Sequence, residues 1–121
     1  MIRVLLVDDD DRVRRGWQMR LALEPDLVVV GTAGDMTTAI STAAAARPHV
    51  ILLDIELPGP DGLSGIAALR RAAPQAAIII VTVYDSEANR RQALLAGAAA
   101  FISKQADFDR LLALMRRVGP L

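Results

Sequence analysis

No cysteine occurs in this chain, which excludes disulfide staples and thiolate metal centres and agrees with a reducing compartment. No apolar run approaches the roughly 20 residues that span a bilayer. Met1-Ile2-Arg3 leads straight into the first apolar segment with no cleavage-site pattern, so the expected location is the cytoplasm. Charge of one sign is missing too. The 14 basic and 14 acidic residues give a formal net charge of +0, and these totals imply no basic face for nucleic acid. Lysine occurs once, at Lys104, and histidine once, at His49. What is present is 121 residues, 53% of them hydrophobic. That is enough for one domain burying about two-thirds of the surface of its unfolded chain.

The hydrophobic residues are grouped. Five short, almost wholly apolar runs recur at Ile2 to Val7, Leu27 to Val30, Val50 to Leu53, Ala77 to Val81 and Ala98 to Ile102. Continuous apolarity marks strands buried on both faces, as in parallel sheets. Segments of helical length lie between and after them, at 12–23, 36–46, 62–72, 86–96 and 107–118. Pro25 and Pro74 stand just past two of these segments, Gly97 ends the fourth, and Asp35 and Ser86 are placed to cap helix starts. Right-handed crossovers turn this βαβαβαβαβα rhythm into an α/β, doubly wound, five-stranded parallel sheet with helices on both faces. Ligands of such sheets bind at the carboxyl ends of the strands.

Polar residues of one kind collect at those ends. Asp54 closes the run Val50 to Leu53, the cluster Asp8-Asp9-Asp10-Asp11 follows the first run, Thr82 follows the fourth, and Lys104 follows the fifth. Counting Asp8, Asp9 and Asp54 against Lys104 leaves a formal charge of about −2, the deficit that one divalent cation cancels. Mg²⁺ suits an open edge, because it keeps several waters and takes one or two carboxylates plus a phosphate oxygen. With that charge screened, the Asp54 carboxylate can attack a phosphoryl group while Lys104 and Thr82 hold its other oxygens. Taken singly, each residue has a plainer reading. Asp10 and Asp11 are helix-start acids favoured by the dipole, and Asp61 before Gly62 is a turn or cap acid. Thr82 alone is an ordinary strand-end threonine, and Lys104 alone is a solvated lysine. His49 sits at the amino end of its strand, away from the acids, and receives no role. Arg12, Arg14, Arg15 and Arg20 read as a solvated helix face. Trp17 fits an interface as well as the core.

In order and at these spacings, Asp8-Asp9, Asp54 with Pro58 and Gly62, Thr82, and Phe101-Ile102-Ser103-Lys104 resemble the receiver domain of two-component response regulators, over residues 2–118. The resemblance implies a flavodoxin-like (βα)5 sheet of strand order 2-1-3-4-5. It also implies a phosphorelay role in which a sensor histidine kinase phosphorylates Asp54. Asp9 would bind Mg²⁺ directly, Asp8 through water, and the backbone carbonyl of Glu56 would complete the protein ligands. Thr82 would close on the phosphoryl group and Phe101 would swing inward behind it. Glu56 and Tyr84 lie two residues beyond Asp54 and Thr82, the positions that tune hydrolysis in such receivers. Leu27-Val28-Val29-Val30-Gly31, Val81-Thr82-Val83-Tyr84-Asp85 and Gly97 to Phe101 resemble the NarL/FixJ type. Members of that type carry a C-terminal LuxR-like helix-turn-helix domain, bind DNA through it to regulate transcription, and dimerise on phosphorylation. The stretch 1–121 therefore reads as a single receiver domain, with any output domain outside it. Gln105 stands where many receivers have proline, leaving the Lys104-Gln105 bond open to either isomer. Gly16 within the first helix suggests close packing there, within the chain or against a partner.

Two other readings use the same residues. Asp8-x-Asp10 after a leading strand resembles the nucleophile motif of haloacid-dehalogenase-type phosphatases, with Asp8 as nucleophile; that reading leaves Asp54 without a task. A stand-alone or phosphorylation-independent receiver would keep the fold as an interaction module. The charge argument carries its own prediction. Asp9→Asn relieves like-charge repulsion, so it is expected to raise the melting temperature of the metal-free protein and to abolish Mg²⁺-dependent stabilisation; thermal melts with and without Mg²⁺ check both.

Overall fold

The computed structural model describes residues 1–56 and 62–120. Strands and helices alternate as β1 (Ile2–Val7), α1 (Asp11–Leu21), β2 (Leu27–Ala33), α2 (Met36–Ala46), β3 (Val50–Leu53), α3 (Gly62–Ala72), β4 (Ala77–Thr82), α4 (Glu87–Ala96), β5 (Ala100–Ser103) and α5 (Phe108–Val118). All strand pairs are parallel, in the order β2-β1-β3-β4-β5. This is the doubly wound sheet that the alternation of apolar runs implies.

Side chains of a strand alternate between its faces, and here that alternation builds two cores. Leu5, Val7, Ile51, Leu53, Ile78 and Ile80 pack with Ala39, Ala43, Ile66, Leu69 and Ala93 of α2, α3 and α4. Val4, Leu6, Val50, Leu52, Ile79 and Val81 pack on the opposite face with Leu21, Leu111, Leu112 and Met115 of α1 and α5. Trp17 is half-buried against this second core.

Among the described residues, four helices start on side-chain caps. Asp10 accepts from the Arg12 amide at 2.9 Å, Asp35 from Thr38 at 2.7 Å, Ser86 from Asn89 at 3.1 Å and Asp107 from Asp109 at 3.2 Å. The caps fix where each helix leaves the carboxyl edge of the sheet. At the far end, Arg116 reaches Asp26 at 2.9 Å and Glu24 at 2.7 Å, tying the last turn of α5 to the α1–β2 loop.

Several boundaries differ from expectation for identifiable reasons. β2 runs on past Gly31 to Ala33, because the ladder absorbs one extra residue: Val29 pairs with Val4, and Gly31 with Leu5. A Cβ at Gly31 would lie 2.7 Å from Thr42 Cγ2, so the glycine lets α2 approach the sheet rather than ending the strand. β5 begins later than expected, since the Ala98 amide caps α4 by donating to the Ala93 carbonyl at 3.0 Å. α1 stops at Leu21, where three-residue turns replace the α ladder just before Pro25. At Gly16 a Cβ would meet nothing within 4 Å among the described residues, so packing within the chain does not account for the glycine. The Lys104-Gln105 bond is trans. His49 lies just before β3 at the amino edge, where its amide donates to the Arg3 carbonyl at 2.8 Å and its Nδ1 accepts from the Arg3 amide at 3.0 Å.

Leu52 of the central strand is fully buried. Leu52→Ala is expected to cost about 2–5 kcal/mol, to be read as a lower urea midpoint at unchanged slope.

Candidate functional site

β1, β3, β4 and β5 end side by side, and the first residue beyond each of β1, β3 and β5 is charged: Asp8, Asp54 and Lys104. Backbone bonds continue the sheet by one step at these positions. The Asp54 amide donates to the Val7 carbonyl at 3.0 Å, Asp8 to Ala33 at 3.1 Å, and Lys104 to Thr82 at 2.9 Å. The side chains therefore leave the rigid part of the fold, not free loops.

Lys104 Nζ lies 2.5 Å from Asp8 Oδ2 and 3.0 Å from Asp54 Oδ2. Asp8 is wholly buried, Asp54 is 4% exposed and Thr82 is wholly buried. Burial pulls the Lys104 ammonium toward neutrality, but its pairing with the carboxylates of Asp8 and Asp54 outweighs that, leaving its pKa above the usual 10.5. Asp54 Oδ1 accepts from the Glu56 amide at 3.0 Å, and Asp8 Oδ1 accepts from the Asp10 amide at 2.9 Å. Glu56 itself is exposed at the rim. The carboxylates of Asp8, Asp9 and Asp54 each offer an oxygen within 4.8 Å of the others, and that of Asp9 is exposed.

These residues fit a hard divalent cation. Asp8 Oδ2 is buried and, despite the charge contact with Lys104, accepts no aligned hydrogen bond, so it keeps lone pairs that an oxygen-preferring ion would use. Thr82 Oγ1 accepts from the Tyr84 amide at 3.1 Å, which leaves its own proton to donate. Tyr84 is half exposed, and its carbonyl accepts from Asn89 Nδ2 at 3.0 Å. Phe101 already lies buried, with the Arg90 guanidinium 5.5 Å from its ring centre. Asp10 is the α1 cap, as its plainer reading holds, while Pro58 and Asp61 lie outside the described residues.

Arg14 was not recognisable from sequence as part of this edge. It is not on a solvated face: its side chain is 18% exposed, one Nη donates to the Asp8 carbonyl, and the other lies 3.2 Å from Asp11 Oδ1. Its place one helical turn after Asp10 and Asp11 is the signal that points it back toward the acids.

The fold is a flavodoxin-like doubly wound sheet whose carboxyl edge gathers three carboxylates, one ammonium and the Thr82 hydroxyl, the edge at which such sheets bind ligands. The response regulator receiver domain model matches residues 4–116, and the chain belongs to that family. The DNA-binding transcriptional activator DevR/DosR of Mycobacterium tuberculosis is 37% identical over 98% of this chain and 55% of its own length. The receiver domain of the putative response regulator NarL from the same species superposes with a TM-score of 0.85 at 32% identity, covering 95% of this chain and 96% of that one. A response regulator protein from Burkholderia pseudomallei, solved with a phosphorylated aspartic acid, calcium ion and citrate, superposes with a TM-score of 0.81 at 30% identity over 95% of this chain and 66% of that one. These similarities place the chain with NarL/FixJ-type receivers, and the dehalogenase-type reading falls. The chain spans about half the length of relatives such as DevR/DosR. Among the described residues no helix is long and apolar enough to cross a membrane.

Because the folded pKa of Lys104 is raised, its stabilising contribution is complete below pH 10.5 and is lost as pH rises through the folded value above that. The melting-temperature difference between the native chain and Lys104→Met should accordingly stay constant up to pH 10 and shrink above 10.5; a differential pH series of thermal melts checks it.

Proposed function

We propose that Asp54 is the phosphoacceptor of a phosphorelay, taking a phosphoryl group from the phosphohistidine of a sensor kinase or from a small acyl phosphate. The observation that carries this reading is the convergence of Asp8, Asp9 and Asp54 around one ammonium at the carboxyl edge. The phosphorylated aspartic acid and calcium ion in the Burkholderia relative support it.

One Asp54 carboxylate oxygen attacks phosphorus, and a phosphorus–oxygen bond forms. The bond from phosphorus to the donor nitrogen or oxygen breaks, and its electron pair stays with the leaving group, an imidazole nitrogen that takes a proton from solvent or a carboxylate that needs none. Asp8, Asp9, Asp54 and the Glu56 carbonyl would hold Mg²⁺, which supplies charge neutralisation at the phosphoryl oxygens. Lys104, held above the acids by β5, exchanges part of its pairing with Asp54 for a phosphoryl oxygen. Thr82 donates its hydroxyl proton to another while its oxygen keeps the Tyr84 amide. Phosphorylation then holds Thr82 and Phe101 in the inward arrangement, a population shift rather than a new fold. Glu56 and Tyr84, at the rim, control the approach of water to the acyl phosphate.

Residues 1–121 form one receiver domain and, in this reading, catalyse only their own phosphorylation and dephosphorylation. Likeness to a DNA-binding transcriptional activator favours an output domain in the whole protein that contacts DNA, with homodimerisation on phosphorylation.

Intact-mass spectrometry after incubation with acetyl phosphate and Mg²⁺ is the test. The native chain should gain one phosphoryl mass, and Asp54→Asn should not. Mg²⁺ binding without any adduct would instead favour a phosphorylation-independent interaction module.

A further inference from the structure

We infer that Arg14 is a positioning residue for the cation site: its forked guanidinium sets the direction in which Asp9 presents its carboxylate. The inference rests on the Mg²⁺ reading above. Asp9 needs such help, since its carboxylate is exposed and no hydrogen bond or ion pair to a described residue holds it. Its orientation is left to its backbone. The Asp8 carbonyl and the Asp9 amide belong to one rigid peptide plane, so whatever pins that carbonyl also fixes the axis about which Asp9 turns.

Arg14 does this from one turn inside α1. One Nη donates to the Asp8 carbonyl and the other pairs with Asp11 at 3.2 Å. The guanidinium lies over Gly34, where a Cβ would come within 3.0 Å of Nη1, so the slot is just wide enough for the flat fork. The other side of the turn is held by the Asp10 amide on Asp8 Oδ1 and by the Asp8 amide on the Ala33 carbonyl. Arg14 closes the remaining side. A lysine keeps the charge, but it carries one nitrogen and cannot span a carbonyl and a carboxylate in that geometry.

The sign of the effect separates positioning from charge. If Arg14 acted only as a nearby positive charge, removing it would tighten Mg²⁺ binding by relieving repulsion, and Arg14→Lys would change nothing. Positioning predicts the reverse: groups that orient metal ligands typically cost 10–100-fold in affinity when removed.

The experiment is calorimetric titration of Mg²⁺ into the native chain, Arg14→Lys and Arg14→Gln, with metal-free melting temperatures and amide NMR spectra as a check on folding. Arg15→Gln is the control, because Arg15 pairs with the same Asp11 at 2.7 Å but is exposed and does not reach Asp8. The expected result is Kd about tenfold weaker in Arg14→Lys and Arg14→Gln, with Arg15→Gln unchanged or tighter. Native-like affinity in Arg14→Lys overturns the inference even if Arg14→Gln fails to fold, as does tighter binding in Arg14→Gln. No Mg²⁺ binding by the native chain would overturn the functional reading itself, an outcome distinct from the other two.

Discussion

The site depends on one ammonium reaching two carboxylates from the opposite side of the sheet. Lys104 extends from the end of β5, the edge strand, across the end of β4 to Asp54 beyond β3 and Asp8 beyond β1. That span is possible only if four strands stop at the same level, and the backbone bonds of Asp8, Asp54 and Lys104 to neighbouring strand ends keep them level. Two buried acids beside each other are costly without a counter-charge. The lysine is thus a structural requirement of the metal-free protein before it takes any part in phosphoryl chemistry.

This arrangement leaves a partly answered charge. One ammonium offsets one of three carboxylates, and Asp8 keeps an oxygen with unused acceptor capacity. The fold tolerates that remainder because the acids sit at an edge, with Asp9 in water, and because amides of Asp10 and Glu56 share the load on Asp8 and Asp54. The surrounding helices contribute direction more than charge. Their starts are capped at the same edge by Asp10, Asp35, Ser86 and Asp107, which keeps four loops short and close to the acids.

Most of the architecture was legible in the sequence, because strands buried on both faces must be apolar throughout and helix starts need side-chain acceptors. The strand-end acids were legible for the same reason: a charge directly after four buried aliphatic residues has nowhere to sit except the tip. What escaped is equally physical. The second apolar run ends at Val30, yet Gly31 stays in the ladder, with Thr42 packed where its side chain would be. Gly16 makes no close contact within the chain, so only its packing against a partner stays as a reading. Arg14 looked solvated because helical periodicity gives the position of a Cα but not the direction of a long, flexible side chain, which here folds back over the preceding turn.

The extra residue in β2 has one more effect. β2 is an outer strand whose first half, Leu27-Val28-Val29-Val30, is aliphatic, with Val28 partly open to solvent. A flat border of that composition would template another chain and seed aggregation. The bulge at Val30 splits the ladder between β2 and β1 into Leu27 to Val29 and Gly31 to Ala33, and a bulge bends its strand and sharpens the local twist. A twisted, interrupted border is a poorer template for a neighbouring strand than a flat one of the same aliphatic composition.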